Sequence, residues 1–251
     1  MTASPSPVSS RCCPVVELRQ YVLHPGMRDA LVTLFDRELV EPQEELGIQV
    51  IAQFRDVDRP DVFTWLRGFP DMAARAAALE AFYGGPVWAR HRDAANATMI
   101  AFDNVRLLRP VHATTGIAMR EERPPVDATA IAPGLVVATI LTLAAPAAEG
   151  FGEWFGAIVA PQLVASGARP MAALETEPSP NTFPRLPVRE GEHAFVWLAR
   201  FDDVAAHDRH AAALAASRRW SGEIRPELER YLAAPVEVWR LTPTARSRTL
   251  R

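Results

Sequence analysis

The chain has 251 residues, of which 49% are hydrophobic and 23% charged, a globular composition sized for one large domain or two small ones. A net charge of -3 leaves no basic footprint for nucleic acid or an anionic membrane, and no apolar run approaches the roughly 18 residues that a bilayer span needs. All 27 basic residues are arginine, which excludes chemistry built on a Schiff-base or phosphate-loop lysine.

The opening fourteen residues are rich in Ser and Pro and lack a basic segment followed by an apolar core, so a floppy tail and a cytoplasmic chain are expected. Cys12 and Cys13 are the only cysteines. Neighbouring Cα atoms lie about 3.8 Å apart, shorter than ordinary disulfide geometry, so two free thiols in a dispensable tail are expected. Val15–Leu23 alternates as a strand, and His24-Pro25-Gly26 turns the chain. Met27, Leu31, Leu34, Phe35 and Leu39 recur at helical spacing, with Gly47 as the stop. Ile48–Arg55 and Val62–Phe69 read as strands around a charged turn. Asp71 caps an Ala-rich helix to Tyr83, a second helix runs from Val87 to about Ala95, and Val105–Arg109 closes the first module, 15–111.

After a Pro-containing linker, 112–134, the plan repeats over 135–243. Leu135–Leu143 is a strand, Glu149–Ser166 a helix ended by Gly167, Ala168–Thr176 and Ala194–Phe201 strands, Asp203–Ser217 a helix and Val236–Leu241 the last strand. Thr176–His193 is a Pro-rich loop, read equally as a lid or as a solvated connection. Residues 244–251 read as a second polar tail. Phe63-Thr-Trp65-Leu66 reappears as Phe195-Val-Trp197-Leu198 at an offset of 132, and Val105–Pro110 matches Val238–Pro243 at 133, an internal repeat. Each module reads β-α-β-β-α-β, a ferredoxin-like unit, so the fold class is α+β, with two such modules packing their sheets face to face as a barrel.

The strand Glu17-Leu-Arg19-Gln-Tyr21 with Pro25-Gly26, the Gly47…Phe54 segment, Trp65, the Arg75-containing helix and Phe82-Tyr83…Trp88 resemble the NIPSNAP family, over about 15–110 and more weakly over 135–243. The resemblance implies the dimeric α/β-barrel superfamily. Its members include cofactor-independent oxygenases, haem-dependent enzymes, small-ring isomerases and proteins without known activity.

Side chains alternate along a strand. Glu17, Arg19 and Tyr21 share one face; Gln49, Gln53 and Arg55 another; Phe63, Trp65, Arg67 and Phe69 a third. The aliphatic faces opposite suit packing beneath helices, so the polar faces are expected inside the barrel, where the second module adds an aromatic wall of Phe195 and Trp197. The alternative is a ladder of Glu17–Arg ion pairs that only holds the barrel together. His24 stands at the mouth of a strand, and Trp88, His91, Arg92 and Asn96 follow the Gly84-Gly85-Pro86 break. His207 and His210 lie one helical turn apart, but no third metal ligand follows and a solvated face beside Arg209 is expected. No metal is expected, and no cofactor is required, haem being the one that the superfamily admits.

These residues suggest an enzyme that oxygenates, cyclises or isomerises an aromatic or polyketide-like compound in the barrel cavity. Tyr21 or His91 moves a proton, Arg67 and Arg55 stabilise an enolate, and Arg19, Gln53, Trp65, Trp88 and Trp197 hold the substrate. The rival is a non-catalytic binding or interaction protein with a filled barrel. A small-molecule ligand is the expected partner, to a monomer or homodimer.

Overall fold

The computed structural model describes residues 11–119 and 122–248. In chain order the elements are β1 (Arg11–Cys12), β2 (Val15–Leu23), α1 (Arg28–Leu34), a π turn (Phe35–Leu39), α2 (Val40–Glu45), β3 (Gln49–Asp56), β4 (Val62–Phe69), α3 (Met72–Gly84), α4 (Pro86–Asn96), β5 (Met99–Pro110) and β6 (Ile117–Ala118). There follow β7 (Leu135–Leu143), α5 (Phe151–Trp154), a π turn (Phe155–Val159), α6 (Ala160–Ala165), β8 (Arg169–Thr176), β9 (His193–Phe201), α7 (Val204–Ala216), a π turn (Trp220–Ile224), α8 (Arg225–Tyr231) and β10 (Glu237–Pro243). Eight strands form an antiparallel sheet that closes as a barrel in the order β10-β3-β4-β2-β5-β8-β9-β7. Helices cover it outside. No helix among the described residues is long and apolar enough to cross a membrane.

Local signals set these boundaries. Gly47 at φ +85° and Gly167 at φ +112° end their helices in the left-handed conformation that glycine adopts without penalty. Asp71 accepts a 2.7 Å bond from the Ala74 amide and Asp203 a 2.6 Å bond from the Ala206 amide, each cap worth about 1 kcal/mol. Two features lay outside the sequence pattern. The long helices predicted over 27–46 and 149–166 are interrupted by π turns, and a helical segment occupies 220–231, where none was expected.

The faces of the sheet are inverted relative to expectation. Val16, Leu18, Ala52, Phe54, Leu66, Val136, Ala138, Leu174, Val196, Leu198 and Leu241 pack together inside the barrel. Phe63, Trp65 and Phe69 lie instead beneath the helices of the first half, and Phe195, Trp197 and Phe201 beneath those of the second. The reason is energetic. A closed barrel excludes water from its centre, so its interior takes the aliphatic face, and the polar face goes where helices and loops supply partners. A register shift between Val50 and Ala52 also moves Val50 to the helix side, apart from Ala52 and Phe54. The barrel centre is therefore packed with aliphatic side chains, and the polar and aromatic faces expected to line a cavity there lie outside the wall.

Both ends of the described chain are tied down. β1 pairs with β6, Cys12 is buried in the barrel core, and Cys12 and Cys13 form a disulfide, where free thiols in a tail were expected. Gly68 makes room for this segment, because a Cβ there would overlap Cys13. The rest of the predicted N-terminal tail, 1–10, lies outside the described residues. At the other end, the Thr244 amide donates to the Gln53 carbonyl at 2.9 Å, and buried Arg246 donates to the Pro124 carbonyl at 3.1 Å, so 244–248 is packed rather than trailing. Arg123 of the linker pairs with Glu44 at 2.6 Å.

Candidate functional site

Glu17 and Arg19 sit at alternate positions of β2, and β4 places Arg67 opposite Glu17 in register. The N-cap at Asp71 fixes the phase of α3, which delivers Arg75 to the same carboxylate. Glu17 then accepts three bonds, from Arg19 at 2.6 Å, Arg67 at 2.8 Å and Arg75 at 2.7 Å, and all four side chains are fully buried. Three guanidiniums against one carboxylate leave a formal surplus of two positive charges. Burial pushes the Glu17 carboxyl up, but Arg67, Arg19 and Arg75 outweigh it and hold the group well below the ordinary carboxylate range. Burial pulls the Arg19 guanidinium down, and Tyr21 and Glu17 reverse that and raise it. Arg75 is lowered by burial.

The outer contacts of the cluster are directional. Arg19 Nε donates to the Tyr21 hydroxyl at 2.9 Å, and Arg67 Nη1 to the Tyr83 hydroxyl at 3.3 Å. Arg75 Nη1 donates to Asn181 Oδ1 at 3.0 Å and Thr182 Oγ1 at 3.2 Å. One nitrogen of each arginine, Nη2, is buried without a hydrogen-bond acceptor. The Arg19 and Arg67 guanidiniums lie over the Trp65 ring, 5.6 and 5.2 Å from its centroid.

A cavity of about 280 Å³ opens beside this cluster, lined by Arg19, Tyr21, Tyr83, Trp88 and Phe102 and roofed by Phe183. The roof belongs to the loop 177–192 of the second half. Phe183 stacks on Tyr83 with centroids 5.9 Å apart, and Thr182 Oγ1 donates to the Met72 carbonyl at 3.1 Å. Of the two readings of the Pro-rich loop, the cover over a cavity is the one its contacts match. Burial raises the Tyr21 hydroxyl against the opposing pull of Arg19, so it stays protonated and, while accepting from Arg19, keeps its own hydrogen to donate. No carboxylate or imidazole is among the lining residues.

The residues selected from the sequence divide accordingly. Arg19, Tyr21 and Trp88 line the cavity, while Trp65 and Arg67 stand behind Arg19. Asn96 lines it too. His91 lies off it, 3.6 Å from Glu38. Gln53 is buried at 3.4 Å from Asp36, and Arg55 pairs at 2.6 Å with exposed Asp29 on the surface. Gln49 is half-buried, His24 is an exposed turn residue whose amide donates to the Thr98 carbonyl, and Arg92 faces Asp93. Trp197, expected to hold the substrate inside the barrel, lies beneath the helices of the second half instead. The expected solvated face of His207 and His210 is corrected as well: His210 is buried, its ring tilted against Phe201 with centroids 5.1 Å apart, and His207 is largely covered. Among the described residues no group of three potential ligands stands ready for a metal.

Glu17, Arg75, Tyr83, Phe102 and Phe183 were not selected as ligand-site residues. An Arg four positions after the cap of an Ala-rich helix was the available signal for Arg75; nothing local points to Phe183, which reaches the site across the halves.

Comparison with family models decides the identity of the first half: the NIPSNAP model matches residues 16–114. This segment is a NIPSNAP domain. It contains every member of the Glu17 cluster and all of the cavity lining except the roof. Comparison with curated proteins finds no match. Among solved structures, an anthrone oxidase-like protein superposes with a TM-score of 0.59 at 13% identity, over 94% of each chain. A candidate monooxygenase from Fusobacterium nucleatum gives 0.58 at 8%, over 95% of this chain and 97% of that one. Another from Lactobacillus acidophilus gives 0.55 at 11%, over 95% and 98%. At such identities the likeness establishes the fold shared over the whole chain, and the NIPSNAP domain with its second half follows that architecture.

Proposed function

We propose that the NIPSNAP domain binds the anion of an aromatic or polyketide-like compound in the 280 Å³ cavity and that the chain is a small-molecule enzyme acting on the bound enolate without a cofactor. The carrying observation is the buried cluster with its surplus of positive charge and its three unaccepted Nη2 groups, one of them on cavity-lining Arg19. A buried surplus charge is costly unless compensated, and an anionic ligand supplies the compensation. Tyr21 donates its hydrogen to the enolate oxygen, Arg19 supplies the charge, and Trp88, Phe102 and Phe183 hold the rings. With no base in the lining, the site works by selecting an already ionised compound, whose proton goes to solvent. Oxygenation is the reading that the anthrone oxidase-like and monooxygenase neighbours support; cyclisation and isomerisation start from the same anion. The second half is a diverged second copy of the module, joined to the first to close the barrel as a tandem.

Anthrone tests this. Its enolate forms a C–O bond with dioxygen, and the resulting peroxide loses water, so anthrone plus O2 gives anthraquinone plus water. Oxygen uptake above the buffer blank is expected, and Arg19→Leu should slow it by about 100-fold or more. Binding of anthrone or 1-hydroxy-2-naphthoate without uptake favours the rival, a non-catalytic binding protein. Failure to bind either compound overturns the anion site.

A further inference from the structure

The second half carries its own cavity, about 210 Å³, between β7, β9 and the covering helices. Its wall is at the register of the charged cluster in the first half. Glu17 and Arg67 face each other across β2 and β4 as Val137 and Ala199 do across β7 and β9. Arg19 opposite Trp65 corresponds to Thr139 opposite Trp197, and Tyr21 opposite Phe63 to Leu141 opposite Phe195. Arg75 is the fourth residue after the cap Asp71, and His207 is the fourth after the cap Asp203. Every one of these exchanges removes charge or bulk, while at the same offset Ala78 is exchanged for the larger His210.

Thr139 and two imidazoles are among the polar groups of the wall. His207 and His210 line the cavity, and Nδ1 of each is buried without a hydrogen-bond partner. His210 is only 8% exposed. Protein interiors keep few voids larger than a water, and buried polar atoms are normally satisfied. A space of this size with two unsatisfied ring nitrogens on a largely apolar wall departs from both rules at once. Exposed Val236 and Val238 form its mouth.

We infer that this cavity is a second ligand site, chemically distinct from the first, which takes an uncharged monocyclic phenol or comparable aromatic alcohol, its ring on Trp197 and Phe155 and its hydroxyl on the His207/His210 pair. An apolar cavity of roughly 150 Å³ suffices for benzene, so the added volume suits a short substituent and the hydroxyl. No charge in the wall calls for an anion. This site stands independently of the reading given to the first cavity.

The test is calorimetric titration of the full chain with 4-ethylphenol and with ethylbenzene. Wild type is expected to bind 4-ethylphenol at one site, about tenfold more tightly than ethylbenzene, the worth of one hydrogen bond. His210→Leu should reduce that preference to near unity. Thr139→Leu and Ala199→Leu, which fill the cavity, should each weaken 4-ethylphenol by tenfold or more; two fillings guard against one that fails to fold. No binding by wild type overturns the site, and so does unchanged binding by a folded filled variant, which places the phenol elsewhere.

Discussion

Thr139 and Arg19 hold the same place against their sheets, and around them two cavities of opposite chemistry have been built. In the first half, three arginines gather on Glu17, and a loop from the other half closes over them. In the second half the same register carries Val137, Thr139 and Ala199, and the mouth is edged by exposed valines. The loops differ to match. The turn between β3 and β4 covers only 57–61, whereas that between β8 and β9 covers 177–192, and the longer one brings Asn181, Thr182 and Phe183 to the charged cluster. Backbone and caps are common to both halves, so the chemistry of each cavity is decided by a few strand positions and one loop length. A cover that excludes water strengthens the ion pairs beneath it, whereas an apolar pocket has no such pairs to strengthen.

Four measurements break or sharpen this contrast. Glu17→Gln should cost the most, about 3–5 kcal/mol in denaturant unfolding, because it strands three buried guanidiniums. A loss under about 1 kcal/mol would show that the cluster is not held by charge. Phe183→Ala should cost about 3 kcal/mol and speed proteolysis within 177–192, since the buried ring anchors the cover. Unchanged proteolysis would detach the loop from the cavity's closure.

The third measurement is a pH profile. Burial raises Asp36 from 3.8 to about 6 against Arg246, whereas the π turn of the second half has Gly156 in the matching place. Between those two pH values the folded chain holds a proton that the unfolded chain has released, so stability should fall by about 2 kcal/mol as pH rises from 4 to 6 and stay lower above it. Asp36→Asn should flatten that segment of the profile; an unaltered slope would assign it to another group. The smallest effect is that of Arg55→Ala, below about 1 kcal/mol, because its partner Asp29 is 80% exposed. The variant should bind anions in the first cavity as wild type does, and a tenfold loss would return Arg55 to the site.

Alternation along β2, β4, β7 and β9 identified which residues travel together, including Arg19 with Tyr21 and Trp65 with Arg67. It did not tell which face turns inward, because a strand's period of two is the same for a barrel centre and for a helix-covered flank. The caps Asp71 and Asp203 and the glycines at 47 and 167 were readable because their chemistry is local. The register shift after Val50 was not, since one extra residue in a strand leaves no composition signal. Arg55 followed from parity alone and stands next to Asp29 on the surface. The helix at 225–231 leaves a local trace, Pro226 in its first turn with Glu227 and Arg230 one turn apart, but too little apolar periodicity within the helix itself to predict it.

The barrel is stitched unevenly. Within each half, long ladders join the strands, such as Val15–Val22 of β2 against Phe69–Val62 of β4. The halves meet along two short seams, Leu108–Pro110 against Thr176–Leu174 and Leu241–Pro243 against Asp56–Phe54. Amides at those seams should exchange with deuterium before the ladder amides do, since parting them disrupts the fewest bonds. The covering loop leaves β8 directly at the first seam, so a fluctuation there would loosen the roof while both ladders stay intact. Entry to the charged cavity would then be timed by the breathing of a joint between sheets rather than by a hinge of its own.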